Sequence, residues 1–353
     1  MNLRILPATL LLLTGCAGRT TAPDSEALPA RYLYTADYMA DPSVHLFDDV
    51  LYIYPSHDRD SEVTSPEDGA HFDMADYHVL RLDDPAAGEA VDLGCSLTLD
   101  DVPWASKQLW ACDVARRDGR YYLYFPAKDA AGIFRIGVAV SDRPEGPFAA
   151  DPEPMEGAYS IDPAVFEDEG AYYLYFGGLQ GGQLQRWEEN RLLDADRFAA
   201  AGEPALAPRV ARLAEGMHTL AEASRPVEIL DREGKPLASD DPHRFFEAAW
   251  VYKHDGRYYF TYSTGTTHLI CYATGDSPYG PFTWQGVVLT PVKGWTTHHS
   301  IVPYGERWYL FFHDAARSGA SRLRNLKICE LRHRADGSIE TLDGDPDAAA
   351  AVE

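Results

Sequence analysis

One phrase recurs five times in this chain: a short acidic or glycine turn that runs into an aromatic strand. The copies are Asp48-Asp49-Val50-Leu51-Tyr52-Ile53-Tyr54, Asp118-Gly119-Arg120-Tyr121-Tyr122-Leu123-Tyr124-Phe125, Glu169-Gly170-Ala171-Tyr172-Tyr173-Leu174-Tyr175-Phe176, Asp255-Gly256-Arg257-Tyr258-Tyr259-Phe260-Thr261-Tyr262 and Gly305-Glu306-Arg307-Trp308-Tyr309-Leu310-Phe311-Phe312. Small or polar residues supply the reversal, and aromatics favour the pleated surface that follows. A hairpin repeated in this way cannot bury its apolar face alone, so the units must stack or close into a ring. With Asp49, Gly119, Gly170, Gly256 and Gly305 as anchors, the intervals are 70, 51, 86 and 49 residues, the size of a propeller blade.

A second strand usually follows each anchor, such as 136–140 or 269–273, and a turn closes the unit. Two closures are near copies, Ser141-Asp142-Arg143-Pro144-Glu145-Gly146-Pro147-Phe148 and Gly275-Asp276-Ser277-Pro278-Tyr279-Gly280-Pro281-Phe282. Five all-β units with little helical periodicity predict a five-bladed β-propeller, each blade a small antiparallel sheet facing a central axis. A two-sheet sandwich competes, but it does not require five equivalent hairpins. The wide interval between Gly170 and Gly256 holds the helix-tolerant stretches, about 191–202 and 210–224, read as an insertion that shapes the rim.

With 353 residues and 45% hydrophobic content, the chain can bury a large core. Its formal charge of −24 argues against nucleic acid and anionic membrane surfaces, which need clustered Lys and Arg. At the N-terminus, Arg4 precedes an apolar run, Ile5 to Leu13, too short to span a bilayer, and then Leu13-Thr14-Gly15-Cys16. That tetrad resembles a bacterial lipobox. Cleavage before Cys16 would put lipid on its thiol, the membrane contact expected of the chain; an ordinary secretory signal is the alternative. Both place the domain outside the cytoplasm, lipid-anchored in the cell envelope or secreted. The expected division is signal 1–16, flexible tether 17–31, propeller 32–345 and tail 346–353, in a monomer. The remaining cysteines, Cys95, Cys112, Cys271 and Cys329, lack zinc-type spacing and suggest no bridge.

Polar groups just upstream of a blade's first hairpin converge on the propeller axis. Asp41 and Asp162 each lie eight residues before an anchor and Glu247 nine. An Asp-Pro pair before an apolar run is by itself an ordinary turn. Three acids at nearly one register are more specific. An inverting glycosidase needs a carboxylate to activate water and a carboxylic acid to protonate the leaving oxygen, and a third carboxylate nearby can raise the acid's pKa.

These segments, Ala40-Asp41-Pro42-Ser43, Ile161-Asp162-Pro163-Ala164 and Phe246-Glu247-Ala248, with the five hairpins, resemble glycoside hydrolase family 43 over essentially the whole mature chain. The resemblance implies Asp41 as general base, Glu247 as general acid and Asp162 as the pKa-modulating and orienting aspartate. Trp295-Thr296-Thr297-His298-His299-Ser300 matches the segment whose histidine helps hold a hydrated Ca2+ or other cation; His298 is preferred over His299. Arg324, or less well Arg322, matches a sugar-binding guanidinium. Without the resemblance, the histidines read as surface or core groups and the arginine as a solvated strand-edge charge. Trp104, Trp110 and Phe246 (or Phe245) are candidate walls for stacking on sugar, although most aromatics here must be core. At Trp110-Ala111-Cys112-Asp113 the chain has Cys112 where proline is commoner in the family.

The expected function is inverting hydrolysis of plant cell-wall pentosans, with an oligo- or polysaccharide as substrate. Its implied form is an exo-acting α-L-arabinofuranosidase or β-xylosidase, with the 183–246 segment walling one end of the groove. The alternatives are an endo-arabinanase, a non-catalytic sugar-binding lipoprotein, and a retaining fructan hydrolase.

Overall fold

The computed structural model describes residues 27–63, 65, 69–345 and 347–348. The signal segment, Cys16 and most of the expected tether lie outside the described residues, as does most of the expected tail. Each aromatic repeat becomes the second strand of a blade. Blade one comprises Met39–Phe47, Val50–His57, Asp76–Leu82 and Val91–Thr98 in sequential order. Blade two comprises Asp113–Arg117, Arg120–Lys128, Phe134–Ser141 and Ala149–Ala150. Blade three comprises Ala164–Asp168, Ala171–Phe176, Arg209–Arg212 and Arg225–Pro226. In blade four, Phe245–His254, Arg257–Thr264, Ile270–Gly275 and Phe282–Leu289 gain a parallel outer strand, Ile229–Leu230. Blade five comprises His299–Tyr304, Arg307–Asp314 and Asn325–Leu331.

The first strands of successive blades touch one another in cyclic order, and blade one's touches blade five's, so the ring is closed about an axis. The fourth strand of blade five is Arg31–Tyr32, paired in antiparallel register as Arg31↔Ile328 and Tyr32↔Lys327. Leu28 already exchanges bonds with Glu330, so the chain is held earlier than the expected tether end at residue 31. This closure removes a sheet edge that would otherwise stay unpaired.

Aromatic and aliphatic side chains from facing blades form the cores, with Tyr54, Tyr124, Tyr175, Tyr259 and Phe260 fully buried. Both closures copied in the sequence contain a cis proline bond, Gly146–Pro147 and Gly280–Pro281, so the likeness extends to the backbone. Neither helix-tolerant stretch is an α-helix. Residues 209–212 are the third strand of blade three, because edge pairing to Tyr173–Phe176 outweighs a weak helical propensity. Arg191–Leu192 pairs with Trp187–Glu188 in a small two-stranded sheet, residues 193–202 are irregular, and with the short turns Gln180–Gly182 and Leu184–Arg186 this segment contributes to the cavity wall. Among the described residues Cys95, Cys112, Cys271 and Cys329 are free thiols.

Candidate active site

Asp41, Asp162 and Glu247 meet in one cavity of about 850 Å³, lined also by Trp110, Phe246, His298 and Arg324. Local backbone irregularity aims them there. Asp41 and Asp162 have left-handed φ values of 49° and 54°, a conformation that Asp tolerates better than most residues with a Cβ. Pairing skips from Ala40 to Ser43, so Asp41 bulges out of the ladder. In blade four the left-handed residue eight before the anchor is Ala248, at 59°. Glu247 is one position earlier, between two bulges. The offset of nine is therefore real: a longer side chain enters from the preceding residue, while the Ala248 N–H donates to Asp162 Oδ2 at 2.8 Å.

Asp41 is held on every side. Arg324 Nη1 donates to Oδ1 at 2.8 Å and Nη2 to Oδ2 at 3.0 Å, while the Ser56 hydroxyl donates to Oδ2 at 2.6 Å. Burial alone would raise its pKa, but the Arg324 charge, the facing histidines and the Ser56 bond outweigh it and hold Asp41 well below the usual carboxylate range. His313 Nδ1 accepts the Asp41 N–H at 3.0 Å and its Nε2 faces the Thr296 carbonyl at 3.1 Å, so this ring is neutral. Burial, followed by the Arg324 charge, lowers its pKa to about 3, consistent with that tautomer.

Glu247 is the opposite case. Among the described residues its carboxyl makes no hydrogen bond, and it opens to the cavity. Burial, then the charges of Asp162 and Asp41, push its pKa well up. Asp162 is raised by burial and by Asp41, and lowered by His298 and the Ala248 N–H. Two carboxyls whose surroundings push their pKa values in opposite directions thus share a site, the division of labour that acid–base glycosidic cleavage needs.

Several expected site residues behave otherwise. Arg324 is 2% exposed, and its five N–H donors are taken by Asp41, Asp58 and Thr296. It positions Asp41 and has no donor left for sugar. Arg322 pairs with Asp60. Trp104 lies outside the site, stacked on Phe125 at 5.9 Å over Gly137, whose missing side chain admits the indole. Trp110 does line the cavity, fixed by its indole N–H on the Phe72 carbonyl at 3.0 Å, and Phe246 lies beside Glu247. Phe245 is core. His298 Nδ1 stands 3.7 Å from Asp41 Oδ1 and 3.8 Å from Asp162 Oδ2, whereas His299 is buried on Thr261.

Sequence reasoning missed Asp58, His313, Lys128 and the rim aromatics Phe198 and Trp295, 56% and 42% exposed. An exposed Phe and Trp on one rim are legible only once the fold brings them together. Missed too was Asp113, buried at the axis, which accepts from Ser43 and from the Val165 N–H at 2.5 Å and lies 2.6 Å from His45 Nε2, tying blades one, two and three.

A hydrated cation fits His298 better than a caged one. Calcium takes six to eight oxygen ligands, but both Asp41 oxygens are engaged and Asp162 Oδ2 accepts a backbone bond. Next to His298, Thr297 Oγ1, Ser300 Oγ and His299 Nδ1 are buried without a partner among the described residues, a polar surface that ordered water would satisfy.

The closed ring of five blades and the paired carboxylates at its axis define a propeller glycosidase. The sequence profile of glycosyl hydrolases family 43 matches residues 95–339, and the chain belongs to that family. It is 58% identical over 317 residues to a xylosidase/arabinosidase of Bacteroides ovatus, covering 89% of this chain and 98% of that one. Among solved structures, a GH43_1 enzyme from Xanthomonas citri complexed with xylotriose has a TM-score of 0.86 at 57% identity, over 91% of this chain and 96% of that one. A β-xylosidase/α-arabinofuranosidase from a compost metagenome, solved with xylotriose in a calcium-free form, has a TM-score of 0.87 at 53% identity, over 89% of this chain and 97% of that one.

Proposed function

We propose that this glycoside hydrolase is an exo-acting β-xylosidase that also cleaves α-L-arabinofuranosides, and that it inverts the anomeric centre. The observation that carries the reading is the contrast between the two carboxyls: Asp41 gripped by both Nη atoms of Arg324, which holds it toward the anion, and Glu247, open to the cavity with no hydrogen-bond partner among the described residues and pushed toward its protonated form by burial and by Asp162. Asp41 draws the proton from a water poised at the anomeric carbon, and Glu247 gives its proton to the departing oxygen. Asp162 keeps Glu247 protonated through its charge. Likeness to enzymes acting on xylosides and arabinosides supports the substrate class. The segment carrying Gln185, Arg186 and Phe198 would wall the cavity and favour chain ends.

A hydrated calcium ion on His298 belongs to the same proposal. It would add positive charge beside Asp41 and Asp162 and fix the imidazole. Export with lipid on Cys16 is likewise proposed, resting on the Leu13-Thr14-Gly15-Cys16 sequence. Parallel assays on aryl β-xyloside, aryl α-L-arabinofuranoside and linear arabinan, with proton NMR of the first anomer released, test the reading. Turnover of the two aryl glycosides with inversion is expected; cleavage of arabinan alone, or retention, would overturn it.

A further inference from the structure

His57 ends the second strand of blade one, and Asp76 and His78 lie at the start of the third. Ser56 pairs with Tyr77, so His57 lies across from Asp76, and His78, two residues on, shares that face. One ligand atom from each residue falls within 4.8 Å of the others. His57 Nδ1 is 2.8 Å from Asp76 Oδ1, and His78 Nε2 is 3.8 Å from Asp76 Oδ2. The second nitrogen of each ring meets another carboxylate: His57 Nε2 is 3.3 Å from Asp37 Oδ2, and His78 Nδ1 is 2.9 Å from Asp92 Oδ2. Carboxylates behind ligating imidazoles fix the tautomer and raise ligand basicity at metal centres.

We propose that His57, Asp76 and His78 form a divalent transition-metal site, best suited to Zn2+, with water as fourth ligand. None of the three lines the catalytic cavity. Tetrahedral zinc with bonds of about 2.0–2.1 Å places ligand atoms roughly 3.3 Å apart; the three here lie within 4.8 Å of one another, so side-chain rotation would draw them onto one ion. The carboxylates of Asp37, Asp76 and Asp92 surround two imidazoles whose centroids are 4.8 Å apart, a negative setting that a dication neutralises. Arg59, whose charge reaches Asp76, points its guanidinium at Asp73 instead. Cys95 is the cross-strand neighbour of His78 but does not join the group.

The position gives the metal a role. His57 and Asp76 stand at the two ends of the loop that carries Asp58, which grips Arg324, and Gly69, His71, Phe72 and Met74 of the cavity wall. Zinc would staple that loop at its base, and binding energy at a site absent from the unfolded chain adds to stability.

Isothermal titration of the metal-stripped full chain with zinc chloride tests this, in a His298→Ala background that removes the axial imidazole. One equivalent of Zn2+ should bind and raise Tm. His78→Gln should abolish both effects and, placed alone in the otherwise unchanged protein, should leave aryl-xyloside hydrolysis unchanged, and Asp92→Asn should weaken affinity by about 10- to 100-fold. No zinc uptake in the background, or undiminished affinity in His78→Gln, overturns the proposal. Should His78→Gln not fold, Asp92→Asn decides: unchanged affinity there overturns it.

Discussion

Asp41 and Arg324 show how one side chain can set the chemistry of another. The fork of Arg324 binds Asp41 and Asp58 together, with its guanidinium 4.9 Å from the Phe72 ring, so the cation is locked before substrate arrives. Because the folded pKa of Asp41 is depressed, the base activity proposed for it is present above that low value and is lost as pH falls through it. Arg324→Gln should therefore move the acid limb of kcat/KM upward and lower its plateau; an unmoved limb would show that Arg324 does not tune the base. For Glu247 the sign reverses: its raised pKa keeps the acid form available until pH climbs through it. Asp162→Asn removes a negative neighbour, so the alkaline limb should shift to lower pH, read from the same profiles. The three acids were legible because the repeat supplies a ruler. The work of Arg324 was not, since it depends on Asp58, far away in sequence, and Trp104 misled because an indole beside a repeat is as readily core as wall.

At the level of strands, the aromatic repeats announce the second strand of every blade, and their glycine or acidic turns fix where each begins. Blade three was harder to read. Its third strand, Arg209–Arg212, is short and carries two arginines, so local composition favours helix and only pairing with Tyr173–Phe176 makes it a strand. The inner strands carry a further contact that spacing could not reveal. Asp113 accepts from Ser43 and from the backbone of Val114 and Val165, joining three blades at the axis. Asp113→Ala leaves those donors buried and unpaired and should cost about 3 kcal/mol in urea denaturation. A loss under about 0.5 kcal/mol, the level of an ordinary surface substitution, would contradict that role.

Across the whole molecule, the ring brings blades one, three, four and five to one site: Asp41, Asp162, Glu247 and His298 come from four different blades. Closure by Arg31–Tyr32 was invisible in sequence, because two residues have no periodicity and their partner lies at the far end of the chain. Starting the chain at Thr35 should open the ring and lower Tm by several degrees in differential scanning calorimetry, as loss of the Tyr32–Asp314 bond and the paired edge requires. The proposed mechanism needs Glu247 as an acid beside Asp41 as a base, and the acid can be isolated by choice of leaving group. Glu247→Ala should lose about 10²- to 10⁴-fold in kcat/KM on xylobiose, whose leaving oxygen needs a proton, and far less on 2,4-dinitrophenyl xyloside, whose leaving group does not. Equal losses on the two substrates would contradict the assignment of Glu247 as the proton donor.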